Sequence, residues 1–441
     1  MKPSNLTFKA TGKNICIVTL GCAKNTVDSE KLLKQIESGG YTVFHEYKDL
    51  SEGGTVIINT CGFINDAKEE SIETILYYTS LKKEGKIEKV IVIGCLSERY
   101  KTILREEIPE VDCWFGVEST AGILKELGLE VRKDVCPNRI LSGPGHYAYL
   151  KISEGCSRTC SFCAIPAIRG KYISRPLEEI TAEAWKLAEN GVKELILIAQ
   201  DLTYYGLDLY KKQKLPGLIE ELLKINSVEW IRLHYLYPDG FPPEIIELMK
   251  QSRKLCRYID IPIQHISDRV LGLMRRSHNS KETRNLLYGI RKELPDAAIR
   301  TTLIAGHPGE SREDFNDLKK FIHEFRFNRL GVFSYSHEEG TYSSIAYKDD
   351  IPLRTKRSRV SQLMKIQQVI SQEINQTMIG KTLRVLIDRS EGDYCAGRTE
   401  YDSPEVDQEV LISSKYDLKP GSFYDITITG SADFDLYGIP A

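Results

Sequence analysis

The stretch YAYLKISEGCSRTCSFC, residues 147–163, joins a short apolar segment directly to three closely spaced cysteines. The apolar segment, 147–153, predicts a buried β-strand. Cys156, Cys160 and Cys163 follow it in a C-x3-C-x2-C array. Because ligands bind at the carboxyl ends of the strands in parallel α/β structures, the sequence predicts a metal or catalytic site in this loop.

Three thiolates at this spacing suit a zinc ion or an iron–sulfur cluster. A structural zinc site usually has four ligands, and no obvious fourth ligand is near, since the closest histidine is His146. A four-iron cluster held by three cysteines leaves one iron open to bind a substrate. The array therefore favours an iron–sulfur cluster over zinc or inert thiols.

The sequence around the array alternates between predicted strands and helices. The strand candidates are 147–153, 194–200, 230–235, 258–263, 299–306 and 329–335. Helical patterns separate them, as at 178–191 and 312–325. This alternation predicts a parallel sheet, either an open doubly wound sheet or a partial barrel.

A further predicted helix near 352–378 carries the basic run RTKRSR, residues 354–359. A run of like charges occurs both on solvated helix faces and on nucleic-acid-binding surfaces. We favour the solvated helix face here.

The chain before this region also alternates. Its strand candidates are 15–20, 55–59, 89–94 and 113–117, and a helical pattern covers 29–40. We predict an N-terminal tail at 1–13, a parallel α/β domain at 14–130, a linker at 131–146, a core at 147–378 and a last domain at 379–441. The last domain has short strands, turn residues and no helical period, which predicts a small all-β barrel.

Cys22, Cys61 and Cys95 each come directly after a predicted strand of the first domain. A single free cysteine is usually a small buried hydrophobic residue. Three at the same place after parallel strands are expected to meet at one sheet edge, where they could hold a second cluster. We assign no ligand role to the remaining cysteines, Cys16, Cys113, Cys136, Cys256 and Cys395.

Composition narrows the class of protein. The chain has 441 residues and is 41% hydrophobic, which is too high a fraction for a disordered chain. Its formal net charge of −2 argues against a simple nucleic-acid-coating protein, although a near-neutral balance could hide opposed local patches. No apolar run approaches the length of a membrane span, and the N-terminus is polar. With 11 cysteines and no recognisable export signal, we expect a soluble cytoplasmic protein whose cysteines serve metal binding or catalysis.

EGCSRTCSFC resembles the cluster motif of radical S-adenosylmethionine enzymes. Together with the three N-terminal cysteines and the all-β last domain, it resembles the methylthiotransferase family over nearly the whole chain. The resemblance implies a multidomain α/β protein with a parallel N-terminal domain, a central partial (β/α) barrel and a C-terminal OB-like barrel called TRAM.

The resemblance also implies two [4Fe–4S] clusters and S-adenosylmethionine. Cys156, Cys160 and Cys163 match the ligands of the radical cluster, and Cys22, Cys61 and Cys95 match those of an auxiliary cluster. In this family one S-adenosylmethionine is cleaved to a radical that removes hydrogen from carbon. The auxiliary cluster supplies sulfur, and a second S-adenosylmethionine supplies the methyl group.

Other candidate residues are weaker. Phe162 resembles the family position that packs near the adenine. Gly306, Pro308 and Gly309 lie in the segment 301–310, which resembles the family's strand-and-loop element near the cofactor, although a plain tight turn explains the glycines equally well. Gln200 and Asp201 could contact cofactor or substrate, or cap the next turn. His265 is a candidate substrate-site residue, or an ordinary hydrogen-bonded histidine.

Charge indicates which branch of the family the chain resembles. Residues 380–441 contain six basic and twelve acidic residues. We expect this acidic surface to repel RNA and attract a basic ribosomal protein, and the alternative is a surface that only keeps the domain soluble. The segments 198–206, 261–271, 333–341 and 397–407 also resemble the branch that methylthiolates an aspartate on protein twelve of the small ribosomal subunit. We expect a monomer that receives electrons from a flavodoxin or ferredoxin. The alternatives are an enzyme acting on transfer-RNA adenosine and a non-catalytic iron–sulfur protein that binds ribosomes.

Overall fold

A computed structural model describes residues 14–46, 53–135 and 137–441. The chain forms two compact units, Met1–Ser142 with Ala167–Arg169, and Gly143–Pro166 with Gly170–Ala441. The predicted tail at 1–13 and the prediction for Cys136 lie outside the described residues.

The N-terminal unit contains a five-stranded, entirely parallel sheet in the order β2-β1-β3-β4-β5. The strands are β1 (Asn14–Thr19), β2 (Thr42–His45), β3 (Thr55–Thr60), β4 (Lys89–Gly94) and β5 (Cys113–Trp114). The helices are α1 (Ala23–Ser38), α2 (Asn65–Lys83), α3 (Cys95–Glu107) and α4 (Thr120–Glu126), and a 3-10 turn follows at Lys133–Val135. The sequence did not predict β2, because this short edge strand has no fully buried residue.

Both faces of this sheet are covered. Val56 and Ile58 of β3 point into one apolar layer, whereas Ile57 points into the other. The strand order reverses between β1 and β3, and such a switch point opens a crevice at the carboxyl ends of these strands. The sheet therefore positions whatever follows β1 and β3 for ligand binding.

The second unit contains a six-stranded parallel sheet in which each strand lies beside its predecessor, from β6 to β13. Its strands are β6 (Tyr147–Lys151), β9 (Glu194–Ile198), β10 (Trp230–Leu233), β11 (Leu255–Asp260), β12 (Ala298–Ala305) and β13 (Arg329–Ser334). A small antiparallel pair, β7 (Ser153–Glu154) and β8 (Ile173–Ser174), lies between β6 and β9 in the chain. All six strands predicted here are confirmed.

The helices of this region connect the strands. They are α5 (Ile165–Arg169), α6 (Leu177–Glu189), α7 (Leu215–Leu223), α8 (Glu244–Gln251), α9 (Asp268–Leu273), α10 (Ser280–Glu293), α11 (Arg312–Phe325), α12 (Tyr342–Ala346) and α13 (Leu353–Gln376), with a 3-10 turn at Leu202–Tyr204. Because the strand order is sequential, all crossovers run in one direction and the sheet has no switch point. This excludes the doubly wound alternative and confirms the partial barrel. Among the described residues, no helix has both the length and the apolar character of a membrane span.

The last domain is a closed five-stranded barrel in the order β14-β15-β16-β18-β17. Its strands are β14 (Thr382–Glu391), β15 (Tyr394–Arg398), β16 (Val410–Ser413), β17 (Phe423–Ser431) and β18 (Leu436–Pro440), with a 3-10 turn at Ser414–Tyr416. The sequence predicted the barrel and three of these strands. It did not identify β15 and β18, since the glycine in each and the proline in β18 weaken the strand pattern.

A buried ion-pair network attaches this barrel to the central sheet. Glu194, the first residue of β9, accepts hydrogen bonds from Arg232 at 2.7 Å and from Arg398 at 2.9 Å. All three side chains are at most 1% exposed. Trp230 and Phe423 add an edge-to-face ring contact with centroids 4.8 Å apart. These contacts explain why the central and last domains form one compact unit.

Part of the predicted acidic surface faces this interface. Asp388, Glu400, Asp402, Glu405 and Asp407 contact residues of the central region. The amino ends of the core strands supply several partners, so the barrel covers the sheet edge opposite to the cysteine loop. Fewer carboxylates remain for a partner protein than the composition of the domain indicates.

Candidate metal centres

Cys22, Cys61 and Cys95 lie at the carboxyl ends of β1, β3 and β4. Cys22 occupies the N-cap position of α1 without a side-chain capping hydrogen bond, and Cys95 is the first residue of α3. The three thiols interact electrostatically with one another, which requires them to be close together. The structure therefore brings this triad to one edge of the sheet, while its role as a cluster ligand set stays a prediction.

Two glycines allow the loops of this triad to approach. Gly21 and Gly94 have φ of +92° and +96°, a region that favours glycine. A Cβ on Gly21 would lie 2.9 Å from the Cys61 Sγ, and one on Gly94 would lie 2.5 Å from the Asn59 Oδ1. These positions therefore need glycine for both backbone conformation and space.

Replacing Gly94 by alanine is expected to lower the free energy of unfolding of the N-terminal unit by about 2–4 kcal/mol, because backbone strain and a steric clash combine. Gly85→Ala is the matched control, since Gly85 also has a positive φ but no atom lies within 4 Å of an added Cβ. We expect it to cost about 1 kcal/mol. Hydrogen exchange in β3 and β4 under denaturant measures both losses, and equal losses would contradict the crowding argument.

Burial dominates the acid–base chemistry of Cys61 and Cys95. It raises the pKa of Cys61 and raises that of Cys95 to about 11. Arg169, which belongs to the N-terminal unit, lowers both values in part. Its guanidinium donates to the Asn25 Oδ1 at 2.6 Å and to Asp28 at 3.2 Å. Cys61 and Cys95 are thus thiols at neutral pH unless a cation such as iron displaces their protons.

Cys156, Cys160 and Cys163 occupy the loop between β7 and α5. The Cys163 amide donates to the Cys160 carbonyl at 3.2 Å, and the Arg158 amide donates to the Cys156 Sγ at 3.4 Å. Burial raises the pKa of Cys156 to about 11 and that of Cys163 to about 12. The fold thus holds this triad in one loop on the strand-end side predicted from the sequence.

Two arginines and a tyrosine that sequence reasoning did not identify surround Cys160. The Arg276 Nη1 donates to the Cys160 Sγ at 3.5 Å. Arg158 and Arg276 lie over the ring of Tyr237, with guanidinium carbons 3.9 and 4.0 Å from its centroid. Because Arg158 lies between Cys156 and Cys160 in the sequence, its place beside the cysteine loop could have been predicted. Arg276 is distant in the sequence, and only the fold brings it to the loop.

Two of the predicted cofactor or substrate residues have buried polar atoms without a partner. The Gln200 Oε1 and the His265 Nε2 make no hydrogen bond, and the Gln264 Oε1 shares this property. These residues follow β9 and β11, on the same side of the sheet as the cysteine loop. Because buried polar atoms are normally satisfied, they fit a ligand with complementary polar atoms.

The other weak candidates have structural contacts. Asp201 caps the Leu202–Tyr204 turn and accepts a hydrogen bond from Arg158 at 2.8 Å. Gly306 and Gly309 have φ of +81° and +80°, as a tight turn requires, and Phe162 is half-buried. Contact of any of these residues with cofactor or substrate stays a prediction.

Within the described ranges, no three His, Cys, Asp or Glu side chains are arranged to hold a single metal ion. A cluster of four irons is a larger body than one ion and separates its ligands more widely. Cysteine thiolates are the ligands that iron–sulfur clusters use. The thiols of each triad fit an iron–sulfur cluster. The unpaired polar atoms beside the central triad fit S-adenosylmethionine as a polar ligand.

Three family models match the chain. The radical SAM superfamily matches residues 150–322, the family described as uncharacterized protein family UPF0004 matches 14–116, and the TRAM domain matches 379–440. The central match indicates an iron–sulfur enzyme that uses S-adenosylmethionine.

Solved structures share the fold at low identity. The radical S-adenosylmethionine methyltransferase TsrM from Kitasatospora setae aligns with a TM-score of 0.54 and 14% identity, covering 73% of this chain and 72% of that chain. The cobalamin-dependent S-adenosylmethionine radical enzyme OxsB aligns with a TM-score of 0.52 and 12% identity, covering 79% of this chain and 56% of that chain. At such identities the likeness concerns the fold alone.

Curated relatives match at much higher identity. The ribosomal protein uS12 methylthiotransferase RimO of Christiangramia forsetii is 52% identical over 434 residues, covering 98% of this chain and 95% of the relative. RimO of Bacteroides thetaiotaomicron is 53% identical over 426 residues, covering 96% of this chain and 98% of the relative. Identity at this level over nearly the full length shows that the chain belongs to the RimO family of ribosomal protein uS12 methylthiotransferases.

Proposed function

We propose that this chain methylthiolates the β-carbon of an aspartate in ribosomal protein uS12. The observation that carries the proposal is the near-full-length identity with relatives of that name. The two separate cysteine triads support it, since sulfur insertion at an unactivated carbon needs both a radical source and a sulfur source. This substrate would place the protein in the cytoplasm.

We infer two [4Fe–4S] clusters, one on each triad. When bound, the central cluster with S-adenosylmethionine supplies a hydrogen-abstracting radical, and the auxiliary cluster supplies sulfur for methylation by a second S-adenosylmethionine. Cys156, Cys160 and Cys163 would hold the first cluster. Cys22, Cys61 and Cys95 would hold the second.

The residues beside the central triad have defined tasks in this proposal. The orphaned Gln200 Oε1 accepts hydrogen bonds, so it is suited to an N–H or O–H group of the cofactor or substrate. Burial lowers the pKa of His265 to about 3, which keeps its ring neutral at physiological pH. The ring thus offers a hydrogen bond without a charge. Asp201 acts through Arg158, which it orients beside the cysteine loop.

The acidic carboxylates that do not face the core would attract the basic substrate. Glu391, Asp393, Asp417 and Asp425 are exposed on the C-terminal barrel. Opposite charges speed association and favour correct partners. We also propose that a flavodoxin or ferredoxin delivers the electron and that the enzyme acts as a monomer.

Mass spectrometry of a deletion strain tests the proposal. We expect β-methylthio-aspartate to disappear from uS12 and methylthio-adenosine in transfer RNA to persist. Loss of the nucleoside instead would favour the transfer-RNA alternative, which the acidic last domain disfavours. If the purified enzyme forms no 5′-deoxyadenosine with S-adenosylmethionine and reductant, a non-catalytic ribosome-binding protein is the better account.

Replacing Arg276 by leucine is expected to shift the midpoint potential of the central cluster by about 60–130 mV to more negative values. The guanidinium beside the Cys160 Sγ stabilises the more negative, reduced state, and a hydrogen bond to a charged group contributes about 1.5–3 kcal/mol. Arg275→Leu is the control, because Arg275 stacks on Tyr342 at 4.4 Å. A potentiometric titration followed by electron paramagnetic resonance measures both shifts. Equal shifts would show that Arg276 has no specific effect.

A further inference from the structure

A groove on the outside of the second unit is lined by cations and by no carboxylate. It lies between α11 and α13 and encloses about 540 Å³. We define it by its cationic side chains, Arg312, Lys319, Arg354 and Arg359, and refer to it as the basic groove. The remaining lining side chains are Phe315, Asn316, Thr355, Ser358 and Gln362.

Three of the four cations in the basic groove form no ion pair with a carboxylate among the described residues. Arg359 pairs with Glu310 at 2.8 Å and is thereby neutralised. Among the described residues, no carboxylate pairs with Arg312, Lys319 or Arg354. Arg312 and Arg354 are exposed. In a chain with a net charge of −2, such a local concentration of positive charge favours an anionic partner.

The neutral groups of the groove suit a phosphate backbone. Hydroxyls of Thr355 and Ser358 and amides of Asn316 and Gln362 lie among the guanidinium groups. Arginine forks, hydroxyls and amides are the groups that contact phosphate and sugar oxygens in nucleic-acid complexes.

The basic groove opens near the sheet edge that carries the central triad. Helix α11 begins directly after the Gly306–Glu310 turn at the carboxyl end of β12. Lys356 of α13 packs against the same turn, since a Cβ on Gly306 would lie 2.5 Å from its Cγ. A polyanion in the groove would therefore lie near the edge of the sheet that carries the central triad.

We propose that the basic groove binds the sugar–phosphate backbone of ribosomal RNA next to uS12. This inference rests on the proposed function, because a ribosomal substrate brings RNA to the enzyme. Two surfaces of the enzyme would then bind different parts of the ribosome. The exposed carboxylates of the last domain would contact the basic protein, and the basic groove would contact RNA. The substrate protein itself, if basic, would be repelled by the groove.

The test compares two triple variants in binding to purified small ribosomal subunits. The groove variant is R312Q/K319Q/R354Q. The control R253Q/K281Q/K292Q removes three exposed cations elsewhere on the core, none of which has an ion pair among the described residues. Affinity is measured by fluorescence anisotropy over a series of KCl concentrations.

We expect the groove variant to bind subunits at least about tenfold more weakly at low salt. The slope of log K against log salt should become less steep by about 2–3, since each lost phosphate contact removes about 0.7–0.9. The control should change affinity by less than about twofold, and binding to isolated, RNA-free uS12 should be unchanged in both variants. If the groove variant is less thermally stable, R354Q alone repeats the test with an expected slope change of about one.

Unchanged subunit binding by the groove variant, or equal losses in both variants, would overturn the proposal. A loss of affinity for isolated uS12 would show that the groove binds a protein instead. If the wild-type enzyme failed to modify uS12, the proposed function would be wrong, independently of whether the groove binds RNA. A failure of the proposed function can therefore be distinguished from a failure of the RNA-binding proposal.

Discussion

Replacing Cys160 by alanine is expected to abolish 5′-deoxyadenosine formation, by at least about a thousandfold. In the proposed function, the loss of one of three thiolates would release or misplace the cluster that delivers the electron. Cys61→Ala should leave 5′-deoxyadenosine formation largely intact and abolish sulfur insertion into uS12, because Cys61 belongs to the other triad. Chromatography of 5′-deoxyadenosine and mass spectrometry of uS12 measure the two activities in the same reaction.

Cys256→Ala is the matched control for both variants. Cys256 lies in β11, is fully buried and belongs to neither triad. We expect it to retain both activities and to lose only some stability from the small cavity. If Cys61→Ala modified uS12 normally, the assignment of a sulfur source to the N-terminal triad would be wrong.

Replacing Glu194 by glutamine is expected to lower the free energy of unfolding of the second unit by about 3–5 kcal/mol. The change leaves Arg232 and Arg398 in a buried site without the carboxylate that neutralises them. Glu229→Gln is the matched control, because Glu229 forms an ion pair with Arg384 between the same two domains. The side chain of Glu229 is 43% exposed and that of Arg384 is 46% exposed. That exposed pair should contribute less than about 1 kcal/mol. Denaturant unfolding of both variants measures the contrast.

Acid should weaken the same interface. Burial alone would raise the pKa of Glu194. The positive charges of Arg398 and Arg232 lower this pKa by more than burial raises it, so the pKa lies below its usual value. A carboxylate with a depressed pKa in the folded state stabilises the fold above its unfolded pKa of about 4.3, and this stabilisation is lost as the pH falls. We therefore expect the wild type to lose more stability than Glu194→Gln between pH 5 and pH 3. Parallel losses would show that Glu194 does not control the acid response.

Much of the fold follows from the sequence because its strands are apolar runs with helical patterns between them. The six strands of the central sheet and the two cysteine triads illustrate this, since each triad follows directly after predicted strands. The edge strand β2 was missed because it buries no residue completely. Periodicity could not choose between the two sheet topologies, because strand order depends on contacts between distant segments.

Side-chain partners were harder to predict than elements. Arg276 reaches Cys160 across 116 positions in the chain, so no local pattern reveals the contact. The acidic last domain was expected to face solvent, yet Asp402 is completely buried against Arg329. The cations of the basic run at 354–359 have different environments. Lys356 is buried and pairs with Asp349, whereas Arg354 is exposed. Local charge counts do not show which charges are paired within the fold.

Iron and sulfide analysis of the anaerobically reconstituted enzyme tests the central claim most directly. Two triads that each hold a four-iron cluster predict about eight irons and eight sulfides per chain. The triple variants Cys22/Cys61/Cys95→Ala and Cys156/Cys160/Cys163→Ala should each retain about four. A wild-type value near four, or a variant of the N-terminal triad that keeps all eight, would contradict the two-site account.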